Sequence, residues 1–276
     1  MFDNKRLGFC SWSVRPENID ELISAAQQIG LQRIQLALNP LCDDGRAWWN
    51  AAARFHAAGI TVRSGMFGTV GEDYATIARI HETGGVLPDE TWPASWTNLH
   101  IAAPLAATHG IERITMHAGF IPSDTSDPVY DKVLNRIGKV ADLLGSYGID
   151  VALETGQEAA PTLKNFFTAL GRKNVGINFD PANMILYGSG DPIAALELLL
   201  PHVRSVHLKD GNASKQPGVE WGEEVPLGTG QVDWQKFFAI LTDGNFTGEL
   251  SIEREAGDQR ILDIRGAVEF LASRCV

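Results

Sequence analysis

A chain of 276 residues with 44% apolar side chains can bury a sizeable core, and its formal net charge of −11 excludes a protein that holds nucleic-acid backbones through a basic surface. Its three cysteines, Cys10, Cys42 and Cys275, form neither a CxxC pair nor a disulfide framework and point to a reducing compartment. The opening MFDNKRLGFCSWS has no long apolar run, so no signal peptide or membrane span is expected and cytoplasmic residence follows.

The first predicted strand is 7–13 (LGFCSWS). Pro16 and Glu17 then open an amphipathic run, with Ile19, Leu22, Ile23 and Ala26 at helical spacing up to Gly30. Strand two is 33–38 (RIQLAL), a helix over 47–58 stops at Gly59, and strand three is 60–67 (ITVRSGMF). Residues 68–112 exceed one helix and a turn. Helical patterns cover 75–82 and 97–109, with GGVLPDETWPASW between them. That segment suits either a flap over a barrel mouth or a surface loop pinned by Trp92 and Trp96. Strand four is 113–120 (RITMHAGF), with Thr115 and His117 on one parity. Strands five to eight are 150–155, 175–180, 204–209 and 248–254, and helices over 129–147, 162–170, 192–200, 233–241 and 261–273 lie between and after them.

Eight strands, each followed by a helical pattern, imply a parallel sheet. Eight such units in one domain over 1–276 imply a closed (β/α)8 barrel, an α/β fold that typically takes about 250 residues. A doubly wound open sheet would carry a Gly-rich phosphate turn after strand one, and CSWSVRPEN has none.

Four strand ends share one grammar. In VGINFDPANM, Ile177 and Phe179 face one side while Asn178 and Asp180 face the other, and Pro181 breaks the run. VALETG, SVHLKD and ELSIERE place Glu154, His207 and Glu253 on the same inward parity. Each residue alone has a plain structural explanation, as a helix cap or a core histidine. Four matching parities on four consecutive strands instead bring three carboxylates and an imidazole to one barrel mouth, a ligand set for a divalent cation.

ETGQE, NFDPANM, HLKD, PLGTGQVDW and IERE resemble the sugar isomerase/epimerase family with the xylose isomerase-like TIM barrel. That family includes ketose 3-epimerases, hydroxypyruvate isomerase, inosose-processing enzymes and, more distantly, endonuclease IV. The resemblance runs from strand four to strand eight, and before residue 113 it rests on the fold pattern. It implies that Glu154, Asp180, His207 and Glu253 bind one divalent ion (Mn, Mg, Co or Zn), with the two glutamates as the acid/base pair. The implied enzyme isomerises or epimerises a keto-sugar, keto-polyol or sugar phosphate. The ion polarises a carbonyl and stabilises the enediolate, while two carboxylates remove and return the proton.

His117 matches a substrate-contacting histidine, with a core role as the alternative. Lys209 shares the parity of His207 and would neutralise an oxyanion, unless it is an exposed loop lysine. Gln157 and Glu158 would bind sugar hydroxyls or cap the next helix. Asn183 is a departure, since many ketose epimerases carry histidine at that place. An arginine common after the strand-seven histidine is also missing, the run after Asp210 being GNASK. Gly228-Thr229-Gly230 would hold a phosphate or serve a glycine-dependent turn, and Trp12, Trp92, Trp96 and Trp221 would offer faces to sugar C–H groups or pack in the core. The implied partner is a small carbohydrate, not nucleic acid or membrane, and a homo-oligomer is left open. The competing functions are a dehydratase or lyase on a keto-inositol-like compound, an endonuclease IV-like repair enzyme and a non-catalytic sugar-binding barrel.

Overall fold

The computed structural model describes residues 6–43, 48 and 50–274, so Cys275 and the start of the helix expected over 47–58 lie outside the described residues. In chain order the elements are β1 (Leu7–Cys10), α1 (Ile19–Ile29), β2 (Arg33–Ala37), α2 (Asn39–Asp43), α3 (Ala51–Ala57), β3 (Thr61–Met66), α4 (Ile77–Thr83) and α5 (Trp92–Thr108). There follow β4 (Arg113–Met116), α6 (Pro128–Ser146), β5 (Asp150–Glu154), α7 (Ala160–Leu170), β6 (Val175–Phe179), α8 (Pro181–Tyr187) and α9 (Pro192–Leu199). The chain ends with β7 (Val203–Leu208), β8 (Asp210–Asn212), β9 (Glu223–Val225), α10 (Trp234–Asp243), β10 (Glu249–Ile252) and α11 (Arg260–Arg274).

β1 to β7 and β10 pair in parallel and close a ring in the order β1-β10-β7-β6-β5-β4-β3-β2. This is the (β/α)8 TIM barrel expected from the strand–helix alternation. Period two divides each strand between two environments. Phe9, Ile34, Ile177, Phe179 and Val206 are fully buried between the wall and the helices, and Phe179 meets Phe237 of α10 at 6.0 Å. Cys10, Gln35, Thr115, Asn178, Ser205 and His207 face the interior, where all six are buried. There Gln35 Nε2 donates to Thr115 Oγ1 (2.9 Å) and Ser205 Oγ donates to Asn178 Oδ1 (2.7 Å). No described helix is long and apolar enough to cross a membrane.

The strand run stops at Pro181 as expected: β6 ends at Phe179, Pro181 begins α8, where its missing N–H is no loss, and Asp180 caps that helix by accepting from Asn183 N at 2.9 Å. One local expectation is corrected. GGVLPDETWPASW is neither flap nor loop along its whole length, because Trp92 and Trp96 already belong to α5. Their rings lie 5.4 Å apart against the core, with the Arg136 guanidinium 5.1 Å over Trp92.

The β8–β9 hairpin after β7 was not legible in the sequence. It is organised by Asp210, whose Oδ1 accepts from the N–H groups of Gly211 and Val232, and whose Oδ2 accepts from Gly228 N (2.9 Å), Gly230 N (3.1 Å) and Trp234 Nε1 (2.9 Å). This decides between the two readings of Gly228-Thr229-Gly230 in favour of the turn. A Cβ on Gly230 would stand 2.2 Å from Asp210 Oδ1, and Gly228 has φ +86° with Phe270 in the way of any side chain. Asp210→Ala should lower stability by at least about 3 kcal/mol, since each buried donor left unpaired costs about 1–3 kcal/mol. Urea unfolding checks this, and a loss under about 1 kcal/mol would contradict the anchoring role.

Candidate metal centre and active site

Glu154 ends β5, Asp180 follows β6, His207 lies in β7 and Glu253 follows β10. All four are buried, and one ligand atom from each lies within 4.8 Å of the others. The four expected residues are thus brought together. His207 Nδ1 stands 2.9 Å from Glu154 Oε1, 3.3 Å from Glu253 Oε2 and 4.0 Å from Asp180 Oδ2. Its Nε2 lies 2.6 Å from Gln35 Oε1. An amide oxygen only accepts, so Nε2 holds a proton and Nδ1 is the nitrogen turned to the acids. The Gln35 amide is itself oriented by its bond to Thr115.

Each acid divides its oxygens. Asp180 Oδ1 caps α8, while Oδ2 accepts no hydrogen bond and lies 3.0 Å from Lys209 Nζ. Glu154 Oε1 takes Asn183 Nδ2 (3.1 Å) and His207, and Oε2 lies 3.6 Å from His117 Nε2. Glu253 Oε2 takes Lys209 Nζ (2.6 Å), and Oε1 takes Trp12 Nε1 (2.7 Å). Gly156, in the ETGQE loop, lets α8 approach. A side chain there would meet Asn183 Cβ at 2.7 Å and push the amide off Glu154.

Burial pushes the carboxyl of Glu154 up, but His207 and His117 together hold the group below its ordinary range. For Glu253, burial is overcome by Lys209 and His207, and it sits well below that range. Asp180 goes the other way: burial dominates the pull of Lys209 and lifts it to about 7. Burial opposes the His207 imidazolium, but Cys10, Glu253 and Glu154 hold it well above its ordinary value. Cys10, by contrast, is a buried thiol pushed up to about 12 by desolvation. Three carboxylate oxygens and an imidazole nitrogen at this separation, one oxygen lacking any hydrogen bond, fit a hard or borderline divalent cation.

A cavity of about 580 Å³ opens above the cluster. Of the expected substrate contacts, His117, Asn183 and Lys209 line it. Lys209 is buried rather than an exposed loop lysine. Gln157 does not line the cavity but donates to Tyr187 Oη at 3.4 Å. Glu158 does not line the cavity either; it accepts from Ile121 N and ties down the loop after β4. Trp12 and Trp221 line the cavity, and Trp92 and Trp96 do not. The sequence reading missed Gln35, Glu72, Tyr74, Tyr187 and Glu255. Glu72 and Tyr74 come from the start of the 68–112 stretch, and Trp221 Nε1 donates to Tyr74 O at 3.1 Å.

A family model described as a xylose isomerase-like TIM barrel matches residues 1–274. The chain belongs to that family. A xylose isomerase domain protein from Planctomyces limnophilus is 33% identical to this xylose isomerase-like barrel, with a TM-score of 0.87 over 97% of this chain and 95% of that one. L-ribulose 3-epimerase shares 16% identity at a TM-score of 0.74, over 97% of this chain and 93% of that one, and shows the fold alone. Inosose dehydratase of Clostridium botulinum (strain Alaska E43 / Type E3) is 23% identical over 141 residues, 46% of this chain and 47% of that protein. The chain therefore spans about half the length of the curated relatives it matches.

A cation binding here must displace the proton that His207 holds on Nδ1 in the metal-free protein, so affinity should climb as pH rises through the neutral range. Gln35→Leu should weaken affinity roughly tenfold to a hundredfold, the usual effect of losing a ligand's orienting partner. Calorimetry with manganese in buffers of different ionisation enthalpy checks both. Affinity that is flat with pH and untouched by Gln35→Leu would contradict this construction.

Proposed function

We propose that the chain is a divalent-metal-dependent enzyme that isomerises or epimerises a keto-sugar, keto-polyol or sugar phosphate by moving a proton at the carbon beside its carbonyl. One observation carries this. Glu154 and Glu253 each turn one oxygen to the shared cluster and the other toward the cavity wall, at His117 and Trp12. Both are held ionised at neutral pH and both line the cavity, so each can accept a proton from a bound substrate. They leave β5 and β10, which flank β6 and β7, and so reach a substrate from two sides.

Glu154, Asp180, His207 and Glu253 would hold one divalent ion (Mn, Mg, Co or Zn). When bound, that ion supplies polarisation of a carbonyl and offsets the charge that develops on it. Asp180 and His207 serve as anchors, each fixed by a bond outside the cluster, to α8 and to Gln35. Lys209, between Asp180 and Glu253, neutralises negative charge at the cavity floor. Asn183 stands where many ketose epimerases carry histidine, and here it orients Glu154. His117 contacts substrate, and Gln157 acts only through Tyr187.

A second reading is dehydration. The same proton abstraction would be followed by loss of a neighbouring hydroxyl as water. The likeness to inosose dehydratases favours it.

The test is proton exchange in D2O with a panel of ketoses and inososes, read by NMR. Glu154→Gln and Glu253→Gln keep shape and one oxygen donor but remove the proton acceptor. At saturating metal each should lose exchange by about a hundredfold to ten-thousandfold while remaining folded. Exchange by both variants near the wild-type rate would sink the two-glutamate mechanism, and water loss in the wild type would promote the second reading.

A further inference from the structure

We infer that the cavity takes an uncharged polyhydroxy ketone and rejects its phosphate ester. This deepens the proposed function and rests on its choice of cavity.

The walls are acidic. Glu72, Glu154, Glu253 and Glu255 line the space and Asp180 lies beneath it, while Lys209 is the one lysine or arginine among the described residues that line it. Lys209 is already shared by Asp180 (3.0 Å), Glu253 (2.6 Å) and Glu255 (3.4 Å). A divalent ion on the cluster would still leave more negative than positive charge around a ligand. A phosphate, bringing about 1.5 to 2 further negative charges, would meet net repulsion.

The fold's phosphate-binding equipment is also filled from within. Barrels of this type often hold phosphate on backbone N–H groups of the loops after strands seven and eight. Here the Gly228 and Gly230 N–H groups donate to Asp210. After β10, the N–H groups of Glu255 (2.9 Å) and Ala256 (3.2 Å) donate to Glu224. Arg254, the nearest guanidinium in sequence to Glu253, is held by Glu224 and Asp263, each at 2.8 Å. The chain's own carboxylates thus occupy the places a phosphate would take.

What remains suits a neutral polyol. Trp12, Tyr74, Tyr187 and Trp221 offer apolar ring faces to C–H groups. Glu255, half of whose side chain is exposed, offers carboxylate acceptors to hydroxyl protons, while Glu72, which already accepts from Thr69 Oγ1 and Tyr74 Oη, adds negative charge to the wall.

The test uses the full chain loaded with magnesium and reads tryptophan fluorescence, since Trp12 and Trp221 line the cavity. The probes are neutral ketoses paired with their own phosphate esters, D-fructose with D-fructose 6-phosphate and D-ribulose with D-ribulose 5-phosphate, together with an inosose. At least one neutral member should quench, and a ketose that does should bind at least about tenfold tighter than its ester, a modest effect for like charges near a protein surface. Glu72→Gln, which removes a wall charge and keeps an oxygen for Thr69, should narrow that ratio. An ester that binds as tightly as its parent overturns the inference, and so does a panel in which no neutral member quenches. Proton exchange in D2O separates the two claims. Neutral binding without exchange leaves the charge inference standing and counts against enolisation. Exchange on an ester alone does the reverse.

Discussion

Three carboxylates lie buried together at the mouth of the barrel, and that concentration of like charge is the constraint on which the rest depends. Buried acids are tolerated only when paired with positive charge and hydrogen-bonded. Here both cationic groups come from one short stretch, His207 in β7 and Lys209 just after its end. The acids come from its neighbours β6 and β10 and from β5 one strand further, so the ring order itself sets charge against charge. The compensation is incomplete: Asp180 is lifted to about 7 by burial, and its Oδ2 takes no hydrogen bond. A divalent cation would answer both facts.

Such a cluster needs rigid support, and the chain supplies it by giving each group a second bond. Asp180 caps α8, Glu154 is tied to Asn183, Glu253 to Trp12, and His207 to Gln35, which is tied in turn to Thr115. The polar barrel interior is therefore a chain of oriented hydrogen bonds beneath the site. Above it, Asp210 and Glu224 do for the loops what Gln35 does for the imidazole, consuming N–H groups that would otherwise seek an anion.

The barrel and its four converging side chains were legible because both are periodic. Strand parity places Glu154, Asp180, His207 and Glu253 inward, and strand ends place them at one mouth. Asp180 shows why competing explanations of one residue need not exclude each other, since it is both a helix cap and a member of the cluster. What escaped the sequence depends on long-range geometry. Gln35 is 172 residues from His207 and carries no motif, so nothing local marks it as the partner that sets the imidazole tautomer. Glu72 and Tyr74 lie in an irregular stretch, where no period tells which side chains face the cavity. Trp92 and Trp96 misled because tryptophans beside prolines and glycines suggest a loop, whereas Trp92 opens a helix with Pro93 in its first turn. The glycines in PLGTGQVDW fitted either a phosphate site or a turn, and the partner of their N–H groups, Asp210, is what decides for the turn.

The central claim is that Glu154, Asp180, His207 and Glu253 hold one cation through three carboxylates and a single imidazole. Electron–nuclear double resonance on the manganese-loaded full chain tests it directly. The account expects one bound manganese with a nitrogen coupling from one histidine, lost in His207→Ala prepared at saturating metal. Failure to bind manganese, or a bound ion whose nitrogen coupling survives that substitution, would contradict it.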